Sequence, residues 1–407
     1  MMPRIKSRLA WLAGFGLAMP LAAFAVAGTA AAGGGAVYVS PSGSPSNSGM
    51  SCATAQYSTI GAGVAAAPAG GKVIVCQGTY AEMVSIDKAL MLDSHGATIN
   101  ATGLDNGILI THSRVEVDGF TIRGANGEGI LAQGHPVAGP IVNGQPTTTG
   151  IPISHLLIEH NDVRNNDQGG PQSSYTECQA QGQIPGDCGE GIHLWSVRDS
   201  SVVANHVAGN SGGILLTDEF GPTHGNLIAN NVVEDNAFDC GITLASHNAG
   251  WNPGTQMTTP NFAGVYDNTI KGNLIRRNGL KGEGAGVLMA AAFPLAASYD
   301  NTVVGNSIHN NELAGVTIHS HPGGGYVSGN SVRNNKIGPN NKGGDPDAGV
   351  SETTGVLVYS TDQPTTVWVT GNLIYGNHYG VWYSGSTVTP TLSGNKFVND
   401  MVNVKNG

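Results

Sequence analysis

The chain has 407 residues, 61 of them glycine, with 11% charged and 6% aromatic residues and a formal net charge of −10. Charge this sparse argues against a disordered chain, and glycine and asparagine this abundant argue against a helical one. No basic patch offers a footing for nucleic acid.

In chain order, Arg4, Lys6 and Arg8 precede an apolar run from Leu9 to about Ala27, then small residues through Ala32. This predicts a secretory signal peptide over residues 1–32, with 33–407 as one mature domain. No later segment is apolar enough to span a membrane, so a secreted, extracellular monomer with permitted disulfides is expected.

Residues 36–80 read as a capping segment. The stretch from Tyr57 to Ala67 predicts a short amphipathic helix over the open end of a solenoid. Of five cysteines, Cys52 and Cys76 flank that helix and the strand after it, and are expected to pair. Cys178 and Cys188 are expected to close a polar loop, and Cys240 to be a buried core thiol.

Residues 81–404 repeat two phrases. One is glycine, aliphatic, any residue, aliphatic, as in Gly191-Ile192-His193-Leu194, Gly213-Ile214-Leu215-Leu216 and Gly241-Ile242-Thr243-Leu244. The other is Asn, any, Val or Ile, two of any, Asn, as at 161–166, 205–210 and 231–236. The three glycines stand 22 and 28 residues apart, and such periods mark a solenoid. Apolar and polar residues alternate within each phrase, which predicts short strands separated by turns. The asparagines are expected to form ladders between coils, and to take the left-handed backbone of sharp turns.

Ala36-Val37-Tyr38-Val39-Ser40, Tyr57-Ser58-Thr59-Ile60 and Gly71 to Tyr80, together with these repeats, resemble right-handed parallel β-helix proteins of the pectin-lyase-like superfold. The resemblance covers roughly residues 36–404. It implies an all-β fold, a right-handed parallel β-helix with a short N-terminal capping helix. The superfold hosts lyases, hydrolases, epimerases, esterases and non-catalytic surface proteins, so it leaves activity open. In the predicted mature domain, the Gly-His-Gly and Arg-x-Lys motifs of polygalacturonases are not present, and neither are the further motifs of pectin methylesterases.

The candidate site comes from stacking the copies on their glycine. Glu219 and His247 fall six positions after Gly213 and Gly241, in consecutive coils, and are expected within hydrogen-bond reach. Asp218 stacks on Ser246 one position earlier, and Asp239 lies at the other end of its strand. Asp218, Glu219, Asp239 and His247 are the candidate catalytic residues. The acids suit glycoside hydrolysis. His247 suits a base for β-elimination from a uronate, with calcium held by Asp218, Glu219 or Asp239 as a candidate cofactor.

His193 and an exposed Trp195 beside the acidic coil are expected to bind sugar, with His224 in the loop after Glu219. His319 and His321 extend the groove or chelate a metal, and Asp345, Asp347 and Glu352 form an acidic loop. Insertions at 167–189, 248–266 and 336–354 are expected to wall the groove. Three readings follow: a secreted enzyme cleaving a polysaccharide as lyase or hydrolase, a non-catalytic glycan-binding or cell-surface protein, or a purely structural solenoid.

Overall fold

The structure, a computed structural model, describes residues 35–142, 145–167, 189–259, 263–321 and 323–407. The predicted signal peptide and the Cys178–Cys188 loop lie outside these residues. Among the described residues, no helix is long and apolar enough to cross a membrane.

The predicted cap is the helix Ile60–Ala66, with Thr59 at its N-cap accepting from the Ala62 amide. Both ends are also held by charge. Glu82 accepts from the Ile60 and Gly61 amides at 2.8 and 2.9 Å. Lys88 donates to the Ala65 and Ala67 carbonyls at 3.1 and 2.7 Å. Each sign opposes the helix dipole at its own end. Ile60 and Val64 are buried, and with Val73 and Val75 they belong to the hydrophobic core. Cys52 and Cys76 form the expected disulfide, and Cys240 is free and buried.

Beyond the cap, the chain winds as a right-handed parallel β-helix. Each coil adds one strand to an eleven-stranded parallel sheet and further strands to a twenty-one-stranded sheet. Stacking buries what no repeat could bury alone. Ile130, Ile192, Ile214, Ile242, Val287, Val316, Val356 and Val381 lie in register down the eleven-stranded sheet. All belong to one continuous core. The glycine that opens each phrase leaves room for the neighbouring coil. A Cβ on Gly241 would stand 2.4 Å from Ile275 Cγ2 and 2.7 Å from the Gly286 carbonyl oxygen.

The asparagines form the predicted ladders. Asn161, Asn205, Asn231, Asn273 and Asn306 pass amide bonds from coil to coil at 3.0–3.1 Å. Each also ties its own backbone into the stack, as when Asn205 N donates to Asn231 Oδ1 at 2.8 Å. Their expected backbone conformation needs correction, because the ladder residue itself is not left-handed. The residue before it is, as at His160, Asn165, Ala204, Asn230 and Asp235. The bend therefore precedes the ladder and aims the amide inward. Asn231→Ala would remove the acceptor of the Asn205 backbone and side-chain amides and the donor to the Val202 carbonyl, all in the preceding coil, and one of the two bonds to Asn273 Oδ1 in the next. A stability loss of roughly 2–4 kcal/mol is expected in urea unfolding, since each orphaned buried group costs about 1–3 kcal/mol.

Two insertions are visible as antiparallel hairpins on the coil. His135–Val142 pairs with Gln145–Ile151, a hairpin the sequence reading did not single out. Trp251–Asn252 pairs with Met257–Thr258 inside the expected 248–266 insertion.

Candidate active site

The strands Gly212–Thr217 and Ile242–Ser246 run side by side in register, so their exit turns stack. Asp218 is fully buried. It accepts from Ser246 Oγ at 2.9 Å, His247 N at 2.7 Å, Asn248 N at 3.2 Å and Gly264 N at 2.6 Å. Asn248 Nδ2 returns the clamp, donating to the Asp218 and Glu219 carbonyls at 2.7 and 2.9 Å. Burial pushes the Asp218 carboxyl up to about 6, and the charge of Glu219 adds to this against the His247 and Gly264 amides. Two consecutive turns are thus locked together by one carboxylate.

That lock brings Glu219 and His247 together, with Glu219 Oε1 2.5 Å from His247 Nδ1. Burial alone would raise the Glu219 carboxyl. The charge and hydrogen bond of His247, followed by His193 and Thr217, outweigh it and hold the group below the usual range. Glu219 is therefore an ionised acceptor, and His247 presents Nδ1–H to it. This fixes the ring, with Nε2 on the side away from the carboxylate. Phe293 packs edge-on against the ring at 5.2 Å and is itself 46% exposed.

On one side, the polar row continues along the outer side of the sheet. His193 Nε2 stands 2.9 Å from Thr217 Oγ1, and Nδ1 stands 3.2 Å from Glu128 Oε1. Glu128 and Glu190 are 2% and 1% exposed and cluster with His193. Sequence reading missed both acids, although each immediately precedes a repeat glycine, in coils that stack. The expected exposure of Trp195 is corrected: it is buried at 4%. Phe220, from the acidic turn, stacks on it at 4.1 Å, and His193 lies parallel at 5.5 Å. Both side chains leave the core, as alternation requires, but a neighbouring turn covers them.

On the other side stand His319 and His321. The 336–354 insertion delivers Asp345 to His319 Nδ1 at 2.7 Å and Asp347 to His321 Nε2 at 3.2 Å. Burial lowers the His321 ring, with His319 and His247 acting in the same direction against the two aspartates.

Two candidates lie elsewhere. Asp239 sits at the entry of its strand, near Glu190 across Gly212, at the far end from His247. His224 does not fold over the acidic turn. It stacks on Tyr266 at 4.7 Å, in an aromatic ladder continued by Tyr299. Asp218, Glu219 and Asp239 therefore do not converge as a calcium cage. The oxygens of Asp218 already serve its four donors, and Asp239 is remote.

The family described as right handed beta helix region matches residues 106–256 and 253–397. No curated protein matches the chain. Among solved structures, the A-module of the Azotobacter vinelandii mannuronan C-5 epimerase AlgE6 is 17% identical with a TM-score of 0.51, covering 86% of this chain and 93% of that one. The A-module of AlgE4 from the same organism is 15% identical with a TM-score of 0.50, covering 82% and 88%. At these identities the likeness is one of fold.

Proposed function

The chain belongs to the right-handed β-helix family of the pectin-lyase-like superfold, and from that premise we propose that it is an exported polysaccharide lyase acting on a uronate-containing polymer. The observation that carries this reading is the Glu219–His247 pair, a histidine oriented by an ionised carboxylate on the outer face of the coil. Double-carboxylate hydrolysis fits less well. It needs one acid free to protonate the leaving oxygen and a second carboxylate across the bond. Asp218 is buried and saturated, and Asp239 stands at the opposite strand end.

In the proposed reaction, His247 Nε2 takes the proton from C5 of the uronate. The released electron pair forms the C4–C5 double bond and expels the glycosidic oxygen at C4, which takes a proton from water. The imidazolium is stabilised by Glu219 on Nδ1 until the proton passes to solvent. A base held in place this way is worth roughly 10²–10⁴ in rate. Asp218 positions the turn and touches no substrate. Phe293, exposed beside His247, offers its face to a sugar ring. Phe293→Ala is expected to raise KM several-fold and leave kcat within about twofold, because a stacking platform binds ground and transition states alike.

The test is incubation with polyuronides and neutral glycans in parallel, following the ultraviolet absorbance of the conjugated product. Absorbing ends from a polyuronide alone support the proposal. Reducing ends from neutral glycans alone, or binding with no product on any polymer, would overturn it.

A further inference from the structure

His319 and His321 are separated by one residue at the end of the strand Val316–Ser320. Alternation along a strand places both rings on its outer face, while Ser320 between them is fully buried. Their Nε2 atoms lie 3.3 Å apart, and His321 Nε2 lies 3.2 Å from Asp347 Oδ2. His319, His321 and Asp347 offer three ligand atoms within 4.8 Å of one another.

The hydrogen bonding around them is fixed from outside. Asp345 Oδ1 accepts from the Asp347 amide at 2.9 Å, and its Oδ2 is 2.7 Å from His319 Nδ1. With Nδ1 held against the Asp345 carboxylate, the His319 ring turns its Nε2 toward His321 Nε2. His321 Nε2 thus stands between His319 Nε2 and the Asp347 carboxylate.

We propose that His319 Nε2, His321 Nε2 and Asp347 bind a divalent transition metal of the zinc class, with Asp345 holding His319 in the ligating tautomer. Tetrahedral zinc with ligands at 2.0–2.1 Å sets its ligand atoms roughly 3.3 Å apart, the spacing found here between His321 Nε2 and each of the other two ligands. A ligating histidine whose second nitrogen is held by a carboxylate is the usual support of such sites. Two imidazoles and one carboxylate select a transition metal over calcium or magnesium, which prefer all-oxygen sets. Three protein ligands leave a fourth position for water or a ligand. This site is independent of the role given to His247, and its test does not use turnover.

Full-length mature protein is stripped with chelator and titrated with Co²⁺, whose visible absorption is intense in four-coordinate sites and weak in six-coordinate ones. The expected result is one equivalent per chain with intense bands, displaced by Zn²⁺ and unaffected by excess Ca²⁺. His321→Ala, at a part-exposed position, should abolish the bands while far-ultraviolet circular dichroism stays unchanged. Asp345→Asn should weaken binding by about 10–100-fold. No stoichiometric binding, displacement by Ca²⁺, or equal binding by His321→Ala would overturn the proposal.

Discussion

His247→Ala is expected to lower kcat by roughly 10²–10⁴-fold, with KM and the thermal unfolding transition close to wild type. The imidazole is the proposed base, so its loss acts on the proton-transfer step. It lies at the surface end of a turn, with its side chain 15% exposed, and contributes nothing to the apolar column. Its amide, which donates to Asp218, survives the substitution. Glu219→Gln should cut kcat less, because the glutamine oxygen still accepts from Nδ1 but no longer balances the imidazolium charge. A parallel fall in kcat and in unfolding midpoint for His247→Ala would instead assign the residue a structural role. Unchanged turnover would remove it from the reaction.

The second large effect is on the fold. Asp218→Ala is expected to cost about 3–4 kcal/mol in urea unfolding, because it strands the amides of His247, Asn248 and Gly264 and removes the shorter of the two bonds that Ser246 Oγ donates. Asn248 still ties the two turns through backbone carbonyls, so the coil should remain folded. Activity should fall with stability, since the turn that carries His247 loses its anchor. This separates the neighbouring acids: Asp218 moves stability and activity together, whereas Glu219 moves activity alone. A stability change within about 0.5 kcal/mol would mean that water satisfies the stranded donors.

The sequence made the column legible because the glycine phrase recurs with a fixed offset to its turn. That offset alone placed Glu219 beside His247. The asparagine ladder was legible for the same reason, but its bend was not. Residues as different as His160, Ala204 and Arg277 hold the left-handed position, so no residue type marks it. What comes from outside the repeat was hidden. Phe220 covers Trp195 from a turn, and Asp345 reaches His319 from an insertion. The His135–Ile151 hairpin packs its Gly150 so tightly on the acidic turn that a Cβ there would stand 1.2 Å from the Phe220 carbonyl oxygen. Glu128 and Glu190 meet because their coils are adjacent, although the long insertion separates them in sequence.

The central claim is elimination by a histidine base, and the most direct test is mass spectrometry of the oligosaccharides released from a polyuronide. Elimination leaves each new non-reducing end lighter by one water than hydrolysis would. The account predicts unsaturated, water-deficient ends made by the wild type and lost in His247→Ala. Fully hydrated ends, or unsaturated ends still formed by His247→Ala at the wild-type rate, would contradict it.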